Sequence, residues 1–398
     1  MSRLSNRIEN LAESATLAMA AKAREFKEKG INVISLSLGE PDFKTPKHIQ
    51  EGAKSAIDEG KYFAYPPVNG YLDLRKAISE KFKRENNLDY SPNQIVVSNG
   101  AKQSIANIMF ALLNPGDEVI VFSPFWVSYT ALIELAEGTP VFVEGTLETD
   151  FKPTAEQLKA AITDKTKAII FSSPCNPTGS VFTEEELTAL SKVILERDEL
   201  YVISDEIYEH INYTGAHCSI GSLPNMQDRT ITVNGFAKGF AMTGWRVGYI
   251  GAPEWIAKGA NKMQGQVTSA NCSIAQRAAL TALTTDLGPT KEMAKEYLRR
   301  RDIVHGLLKE IPGVEVNVPQ GAFYFFPDVS SYFGKKAGEK VIANASDLCI
   351  HILEEAHVSL VTGEAFGAPK CVRLSYAASE EDLRDAIKRI AEVLSKLS

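Results

Sequence analysis

Short apolar runs alternate with stretches of helical periodicity between residues 90 and 250. The runs are typical of buried strands, and the intervening stretches repeat apolar residues every three or four positions. We predict strands at Ile95–Val97, Val119–Phe122, Val141–Val143, Ala168–Phe171, Tyr201–Ser204, Thr230–Val233 and Val247–Ile250. Helices are predicted at Ala101–Leu113, Thr154–Ile162 and Thr183–Glu196. This alternation indicates a mainly parallel sheet with helices on both faces, a three-layer α/β architecture.

The pattern changes after about residue 288. Helices are predicted at Lys291–Leu308, at Asp347–Glu355 and from Ser379, and strands at Val358–Val361 and Val372–Ser375. This mixture predicts a smaller α+β domain at residues 288–398, beside a large domain at residues 47–287. Residues 1–46 are predicted to form an N-terminal arm and part of the small domain, with the Gly- and Pro-containing segment 38–42 between the two.

Composition and charge exclude several classes of protein. The 398 residues carry 43 Lys and Arg against 50 Asp and Glu, a net charge of −7, which argues against a nucleic-acid partner. The five cysteines are widely spaced and odd in number, which favours a reducing cytoplasm over a disulfide framework. Polar residues interrupt every apolar run of the first thirty residues, so we expect no signal peptide and no membrane span.

Polar landmarks follow the strands of the predicted sheet. They are the segments 98–103 (SNGAKQ), 171–179 (FSSPCNPTG), 201–208 (YVISDEIY) and 235–248 (GFAKGFAMTGWRVG). Each lies at the carboxyl end of a strand, which is where open α/β sheets bind their ligands. The sequence therefore predicts a ligand site at this edge of the sheet.

Each landmark taken alone has an ordinary explanation. Asn176 lies in a common turn sequence, Asp205 would suit a solvated strand end, and Lys238 could extend past its apolar neighbours to solvent. The segment DEIYEH holds two carboxylates and a histidine, but its spacing matches no metal motif, and we expect it to be structural with no metal bound. The convergence of the landmarks, rather than any one of them, favours a site.

Together the landmarks resemble the fold-type I, class I aminotransferases, which use pyridoxal 5′-phosphate. The resemblance runs from Ser37 to Tyr376, and segment 235–248 matches the lysine signature of that family, with Lys238 and Arg246 eight positions apart. The motifs SLGEPDF, SPFWVSY, SPCNPTG, SDEIYEH and AMTGWRVGY are similar to those of bacterial aspartate aminotransferases, a branch that includes bifunctional aspartate/prephenate enzymes. The resemblance implies a large domain of the pyridoxal-phosphate transferase type and a smaller α+β domain.

The resemblance also implies how the cofactor is held. Lys238 would form the Schiff base and then move the Cα proton, while Asp205 would keep the pyridine nitrogen protonated. Further cofactor contacts are implied for Tyr208 and Asn176 at the phenolic oxygen, Trp126 on the ring face, and Arg246 with the backbone N–H groups of Ala101 and Lys102 at the phosphate. Tyr65 would reach the phosphate from the neighbouring subunit of a homodimer. From the residues alone, Trp126 would equally suit a core and Tyr65 a turn.

Substrate contacts are implied in the same way. Arg373 would grip the α-carboxylate with two parallel hydrogen bonds, and Gly39 would let the backbone approach that carboxylate closely. Trp126 and Asn176 would also touch the substrate. Lys102 and Thr16 match the pair that related enzymes use for the distal carboxylate of aspartate and for prephenate, although a solvated lysine would also suit position 102.

One departure from the family pattern concerns the residues before the lysine. Many relatives carry a hydroxyl directly before it, whereas this chain has Ala237, and Gly235 also lacks a hydroxyl. One phosphate contact made in those relatives is therefore missing, which bears on cofactor affinity.

We therefore expect a cytoplasmic, homodimeric enzyme that moves the amino group of L-aspartate to 2-oxoglutarate. Its partners would be small amino and 2-oxo acids, with no nucleic acid and no membrane. Transamination of prephenate or of aromatic amino acids is the alternative within the class, and a β-lyase would share the same Lys, Asp and Arg. A regulator that only binds pyridoxal phosphate would need a DNA-binding module, and none is recognisable before Ser37.

Overall fold

The computed structural model describes residues 4–9, 11–12 and 15–398. Its strands are β1 (Ile34–Ser35), β2 (Ile95–Ser98), β3 (Glu118–Ser123), β4 (Thr139–Glu144), β5 (Thr166–Ser172), β6 (Tyr201–Asp205), β7 (Thr230–Gly235), β8 (Gly248–Gly251), β9 (Tyr324–Phe325), β10 (Lys336–Ala337), β11 (Lys340–Val341), β12 (Val358–Ser359), β13 (Val361–Thr362) and β14 (Val372–Ser375). Its helices are α1 (Asn6–Glu9), α2 (Ala15–Glu28), α3 (Lys47–Glu59), α4 (Leu72–Asn86), α5 (Ala101–Leu112), α6 (Ser128–Leu135), α7 (Ala155–Ala161), α8 (Glu184–Ile194), α9 (Glu254–Val267), α10 (Ser273–Thr284), α11 (Gly288–Lys309), α12 (Ala345–Ala356) and α13 (Glu380–Leu394). Within the described ranges, no helix has both the length and the apolar character that a membrane crossing needs.

A seven-stranded sheet forms the centre of the fold, in the order β2-β8-β7-β6-β5-β3-β4. All neighbours pair in parallel except β8, which is antiparallel to both β2 and β7. The mainly parallel sheet predicted from the sequence is confirmed, and each of its seven strands lies within a few residues of the predicted bounds. The carboxyl ends of β2, β3, β5, β6 and β7 consequently meet at one edge.

Helices cover both faces of this sheet. Alternate residues of β3 point to opposite sides: Val121 packs with α5, α6 and α9, whereas Ile120 packs with α7 and α8. At the other end of the sheet α3, α4 and α10 cover Ile95 and Val97 of β2. The three-layer α/β architecture follows from this alternation, because strands buried on both sides need apolar residues at every position. The predicted start of α8 is also confirmed, since Thr183 and Glu186 form a reciprocal capping box.

The C-terminal segments pack around a separate core. Helices α11, α12 and α13 enclose β9, β12 and β14, and the N-terminal strand β1 joins them by pairing in parallel with β12. The single strand predicted at Val358–Val361 is wrong, because β12 pairs with β1 whereas β13 pairs with β14, and the chain changes sheets at Leu360. The domain boundaries near residues 46 and 287 stay a prediction, and residues 1–3, 10 and 13–14 of the N-terminal arm lie outside the described ranges.

Candidate active site

A cavity of about 600 Å³ opens at the carboxyl edge of the sheet. It brings together nearly all of the residues singled out in the sequence, from β-strand ends, from the N-terminal segment and from β14. These are Thr16, Gly39, Ala101, Lys102, Trp126, Asn176, Asp205, Tyr208, Lys238, Arg246 and Arg373. Tyr65 does not line it: its side chain is 97% exposed on the loop between α3 and α4.

Lys238 follows β7 and extends into this cavity. Its Nζ donates a hydrogen bond to the backbone oxygen of Gly39, and it lies 5.6 Å from the ring centroid of Tyr208. Burial lowers the pKa of Lys238 to about 8; the carboxylate of Glu40 opposes that shift, and the guanidinium of Arg373 adds to it. An amine with this pKa has an appreciable neutral, nucleophilic fraction near pH 7, which an exposed lysine lacks.

Asp205 ends β6 on the floor of the cavity. Its Oδ2 accepts a hydrogen bond of 2.7 Å from the hydroxyl of Tyr129, and its Oδ1 accepts one of 3.3 Å from the backbone N–H of Ile207. Burial raises the pKa of Asp205 to about 6, although the bond from Tyr129 works against that rise. A carboxylate in this position is suited to pairing with a cationic group of a bound ligand, because such a group would offset the cost of burial.

One corner of the cavity is built for an anion. The backbone N–H groups of Ala101 and Lys102 begin α5, where they have no intrahelical acceptor and where the helix dipole favours negative charge. The guanidinium of Arg246 lies beside this turn; its Nη1 donates 2.9 Å to the backbone oxygen of Thr243, and no carboxylate of the described ranges pairs with it. Gly100 permits the approach, because a Cβ there would overlap that guanidinium. This corner can hold a phosphate group.

The opposite side of the cavity holds a buried arginine. The Nη1 of Arg373 donates 2.9 Å to Asn176 Oδ1, and its Nη2 donates 2.5 Å to the backbone oxygen of Ser37. Its Nε is buried and finds no hydrogen-bond acceptor in the part of the chain that the structure describes. The guanidinium is held between the rings of Tyr324 and Phe366, with its carbon 4.7 and 4.9 Å from their centroids. A fixed cation with an unused buried donor is suited to a carboxylate ligand.

Lys102 is the cation at the mouth of the cavity. Its Nζ lies 5.1 Å from the ring centroid of Trp126, and no ion pair to it is found among residues 4–9, 11–12 and 15–398. The side chain of Lys102 stays open to solvent, but partial desolvation of its ammonium by the surrounding protein, and to a lesser degree the charge of Arg246, lowers its pKa. Thr16, from α2, lines the same cavity. A second anionic group of a ligand would therefore find a cation here.

Comparisons with known proteins agree on one family. Residues 31–390 match the family model described as "Aminotransferase class I and II". The chain belongs to this aminotransferase family. It is 45% identical, over 98% of its length and 82% of the relative, to the "Bifunctional aspartate aminotransferase and glutamate/aspartate-prephenate aminotransferase" of Petunia hybrida. It is 44% identical over all of both chains to the "Aspartate/prephenate aminotransferase" of Cereibacter sphaeroides. The crystal structure of the aspartate aminotransferase from Rhizobium meliloti superimposes over all of both chains with a TM-score of 0.96 at 40% identity.

Two tyrosines of this aminotransferase site were not singled out from the sequence. Tyr129, which donates a hydrogen bond to Asp205, lies in the motif SPFWVSY, in which only Trp126 was assigned a role. Tyr324 lies in GAFYFFPD, a run of aromatic residues that periodicity cannot separate into core and cavity positions. Both line the cavity. The sequence did offer a signal for Tyr129, because its motif follows a predicted strand. For Tyr324, only the fold shows that the side chain reaches the cavity.

The two positions that lack hydroxyls differ in their surroundings. Gly235 ends β7 so close to β8 that a Cβ would lie 2.9 Å from the Cα of Gly248, so packing requires glycine there. Ala237 lines the cavity. The absence of a hydroxyl at position 235 therefore has a structural reason in this aminotransferase, and none is evident at position 237.

The DEIYEH segment joins a buried charged cluster behind the cavity. Glu206 and Glu209 lie within reach of His217, and the oxygen and nitrogen atoms of these three side chains lie within 4.8 Å of one another, as in a metal ligand set. Lys81 already pairs with Glu209, however, and His217 Nε2 lies 2.8 Å from Glu206 Oε2. These contacts supply the positive charge that two buried carboxylates need.

Proposed function

We propose that this chain is a pyridoxal-phosphate-dependent aspartate aminotransferase, which converts L-aspartate and 2-oxoglutarate to oxaloacetate and L-glutamate. The observation that carries the proposal is Lys238, an amine with a pKa of about 8 that shares one cavity with the buried carboxylate of Asp205 and the arginine clamp at Arg373. The names of the relatives in Petunia hybrida and Rhizobium meliloti agree with it.

The cavity fits pyridoxal phosphate by the chemistry of its donors. Arg246 and the first N–H groups of α5 would hold the phosphate, and Asp205 would pair with the ring nitrogen. Tyr208 and Asn176 would donate to the phenolic oxygen, and Trp126 would lie against a face of the ring. When bound, the cofactor supplies an electron sink for the pair left on the substrate's Cα. Asp205 supports that property because its carboxylate, held by Tyr129, favours a protonated ring nitrogen.

The proton transfer belongs to Lys238. A lysine whose pKa lies near 8 is partly neutral at physiological pH, so it can accept the Cα proton and return it to a different carbon. Arg373 would fix the α-carboxylate with paired hydrogen bonds and so aim the Cα–H at Nζ. Gly39 would lie against the same carboxylate. A Cβ at position 39 would overlap the hydroxyl of Tyr324, which supports the need for glycine there.

Preference for a dicarboxylic substrate would come from Lys102 and Thr16. A distal carboxylate bound without a cation would be desolvated at a cost of several kcal/mol, about the cost of burying any unpaired charge. The same pair supports a second candidate, transamination of prephenate, which relatives in Petunia hybrida and Cereibacter sphaeroides carry in their names. Aromatic amino acids and a β-lyase reaction stay as further alternatives, since they would use the same Lys238 and Arg373.

We further infer a homodimer in the cytoplasm, with each site shared between subunits. The loop that carries Tyr65 leaves large apolar side chains uncovered: Phe63 is 71% exposed and Tyr65 97%. Arg277 holds this loop from α10, with its guanidinium carbon 4.9 Å from the ring centroid of Tyr62 and its two nitrogens each 2.7 Å from Asp73. Exposed aromatic side chains on a loop that is held at its base favour a partner surface. The five cysteines are unpaired, which is in keeping with a reducing compartment.

The first experiment tests the lysine. We expect the purified protein to bind pyridoxal phosphate, to change its absorbance when L-aspartate is added, and to transfer amino groups to 2-oxoglutarate. Lys238→Ala should still bind the cofactor through Arg246 and Asp205 but lose transamination, whereas Lys258→Ala, on the exposed face of α9, should be unaffected. Full turnover by Lys238→Ala would refute the assignment.

The transamination assay should test aspartate, glutamate, phenylalanine and tyrosine as amino donors and 2-oxoglutarate and prephenate as acceptors. Release of pyruvate and ammonia from a cysteine conjugate without any oxo acid would favour the β-lyase instead.

The second experiment tests the shared site. A Lys238→Ala chain is mixed with a Tyr65→Phe chain at a cofactor concentration that does not saturate the latter. In the hybrid dimer one site collects both defects and the other none, so activity should rise above both parents. Hybrid formation without recovered activity would show that Tyr65 does not act in its neighbour's site.

A further inference from the structure

Tyr324, on β9, connects two parts of the candidate site that are otherwise separate. Its side chain is fully buried, and its hydroxyl lies 2.7 Å from the hydroxyl of Tyr208. The face of the same ring lies against the guanidinium of Arg373, whose carbon is 4.7 Å from the ring centroid. One side chain therefore touches both the carboxylate clamp and the tyrosine that faces the cofactor position.

Either hydroxyl can donate in the bond between Tyr324 and Tyr208, and an acceptor bound in the cavity would decide its direction. Tyr208 is the only hydrogen-bond partner of the Tyr324 hydroxyl within the described ranges, and Tyr208 itself faces the cavity. If Tyr324 donates its proton to Tyr208, the proton of Tyr208 is free to point into the cavity. The bond then also polarises the O–H of Tyr208 and makes it a stronger donor, as in any chain of hydrogen bonds.

The Tyr324 ring has little room to move independently of the clamp. Arg373 packs on one side of it, while the backbone at Gly39 lies against its hydroxyl so closely that a Cβ would overlap. The neighbouring ring of Phe323 lies 4.8 Å from it between centroids. A carboxylate that draws the guanidinium toward itself would therefore change the position of the Tyr324 ring and with it the bond to Tyr208.

We propose that Tyr324 is a positioning residue that transmits carboxylate binding at Arg373 to the hydroxyl of Tyr208. This inference rests on the proposed function, because it takes Tyr208 to donate to the phenolic oxygen of pyridoxal phosphate. Asn176 offers a separate route, since it accepts a hydrogen bond from Arg373 and would touch the same oxygen. The Tyr324 route is distinct because it passes through Tyr208 and can be removed without altering Asn176.

The experiment is an absorbance titration of the cofactor-loaded protein against pH. It is carried out with the wild type, Tyr324→Phe, Tyr208→Phe and the double variant, each with and without saturating maleate, a dicarboxylate that lacks an amino group. The phenylalanine at position 324 keeps the ring on Arg373 and removes only the hydroxyl. Tyr332→Phe is the matched control, because that tyrosine donates to the backbone oxygen of Pro312 and does not line the cavity.

The expected result is a raised chromophore pKa in Tyr324→Phe. A weaker donor at the phenolic oxygen stabilises its anionic form less, so we expect a rise of roughly 0.5 pKa unit, smaller than that in Tyr208→Phe. The double variant should match Tyr208→Phe, and the maleate-induced shift should fall to about half or less in Tyr324→Phe while its affinity for maleate changes little. Tyr332→Phe should behave as the wild type.

Additive shifts in the double variant, or an undiminished maleate-induced shift in Tyr324→Phe, would overturn the inference and leave the proposed function standing. A wild-type protein that binds pyridoxal phosphate without any pH-dependent change in its absorbance and performs no transamination would overturn both.

Discussion

Removing the charge of Lys102 should separate dicarboxylic from monocarboxylic substrates. The ammonium group lies at the mouth of the cavity, over Trp126, and no carboxylate of the described ranges competes for it. Truncating one partner of a fully desolvated ion pair costs roughly 2–5 kcal/mol. Lys102, however, is exposed in the single chain, so solvent screens part of its interaction with a ligand.

The exposure sets the expected magnitude. We expect Lys102→Ala to lose about 1–2 kcal/mol of transition-state stabilisation with aspartate, between the values for exposed and buried pairs, or roughly 5- to 30-fold in kcat/KM. Phenylalanine, or another monocarboxylic donor that the wild type accepts, should be nearly unaffected, because it brings no distal carboxylate. The backbone N–H of residue 102 is retained in the variant, so the phosphate corner should stay intact.

The assay is kcat/KM for both donors with 2-oxoglutarate held constant. Lys102→Arg is the matched control: it keeps the cation at the cavity mouth and should retain most of the aspartate activity. Equal losses on both donors in Lys102→Ala would refute the reasoning, because the lysine would then act on something other than the distal carboxylate. A loss larger than 100-fold restricted to aspartate would instead mean that the partner subunit covers Lys102.

Two further predictions concern the partner of Asp205 and the buried charged cluster next to it. Tyr129→Phe removes the hydrogen bond that opposes the rise in the pKa of Asp205, so the carboxylate should bind the cofactor's ring nitrogen more weakly. Titration of the cofactor-free protein with pyridoxal phosphate should show an affinity lower by roughly 10-fold. Unchanged affinity would contradict the proposed pairing. The pKa of Glu209 is lowered to about 2, with Lys81 as the largest favourable influence against the opposing cost of burial. A depressed carboxyl pKa contributes stability above its unfolded value of about 4.5 and loses it as the pH falls toward 2. The free energy of unfolding should therefore decline less between pH 5.5 and pH 3 in Glu209→Gln than in the wild type; an equal decline would remove Glu209 from the acid sensitivity.

The central sheet could be predicted because its information is local. Strand β6, for example, begins with three consecutive apolar residues and ends in the polar pair Ser204 and Asp205, and that pattern can be recognised without any partner strand. The change of sheet at Leu360 could not be predicted, because no glycine, proline or charged residue stands between Val358 and Val361. The break comes from β1, more than 300 residues earlier, which pairs with only the first half.

The candidate site was predictable to the extent that its residues follow strands. Asp205 is the last residue of its strand, and Asn176 and Lys238 lie a few residues past theirs, so their convergence follows from parallel topology. Tyr324 and Ser37 reach the site from outside the sheet. Ser37 contributes a backbone oxygen to Arg373, a contact that any residue type at that position could make.

The segment from Asp205 to Glu209 shows how a motif can reveal its cavity residues while the role of its other residues cannot be predicted. Asp205 and Tyr208 line the cavity, whereas Glu206 and Glu209 point to the buried charged cluster on the other side. The partners of those two acids are not nearby in sequence: Lys81 belongs to α4, 128 positions from Glu209, and His217 follows in a later loop. Removing Lys81 would leave Glu209 buried without its main counter-charge, at a cost of about 3 kcal/mol. Asp205 and Tyr208 therefore lie in a segment that is held by a partner from outside the motif, Lys81, and the neighbouring acids Glu206 and Glu209 belong to that buried cluster rather than to the cavity.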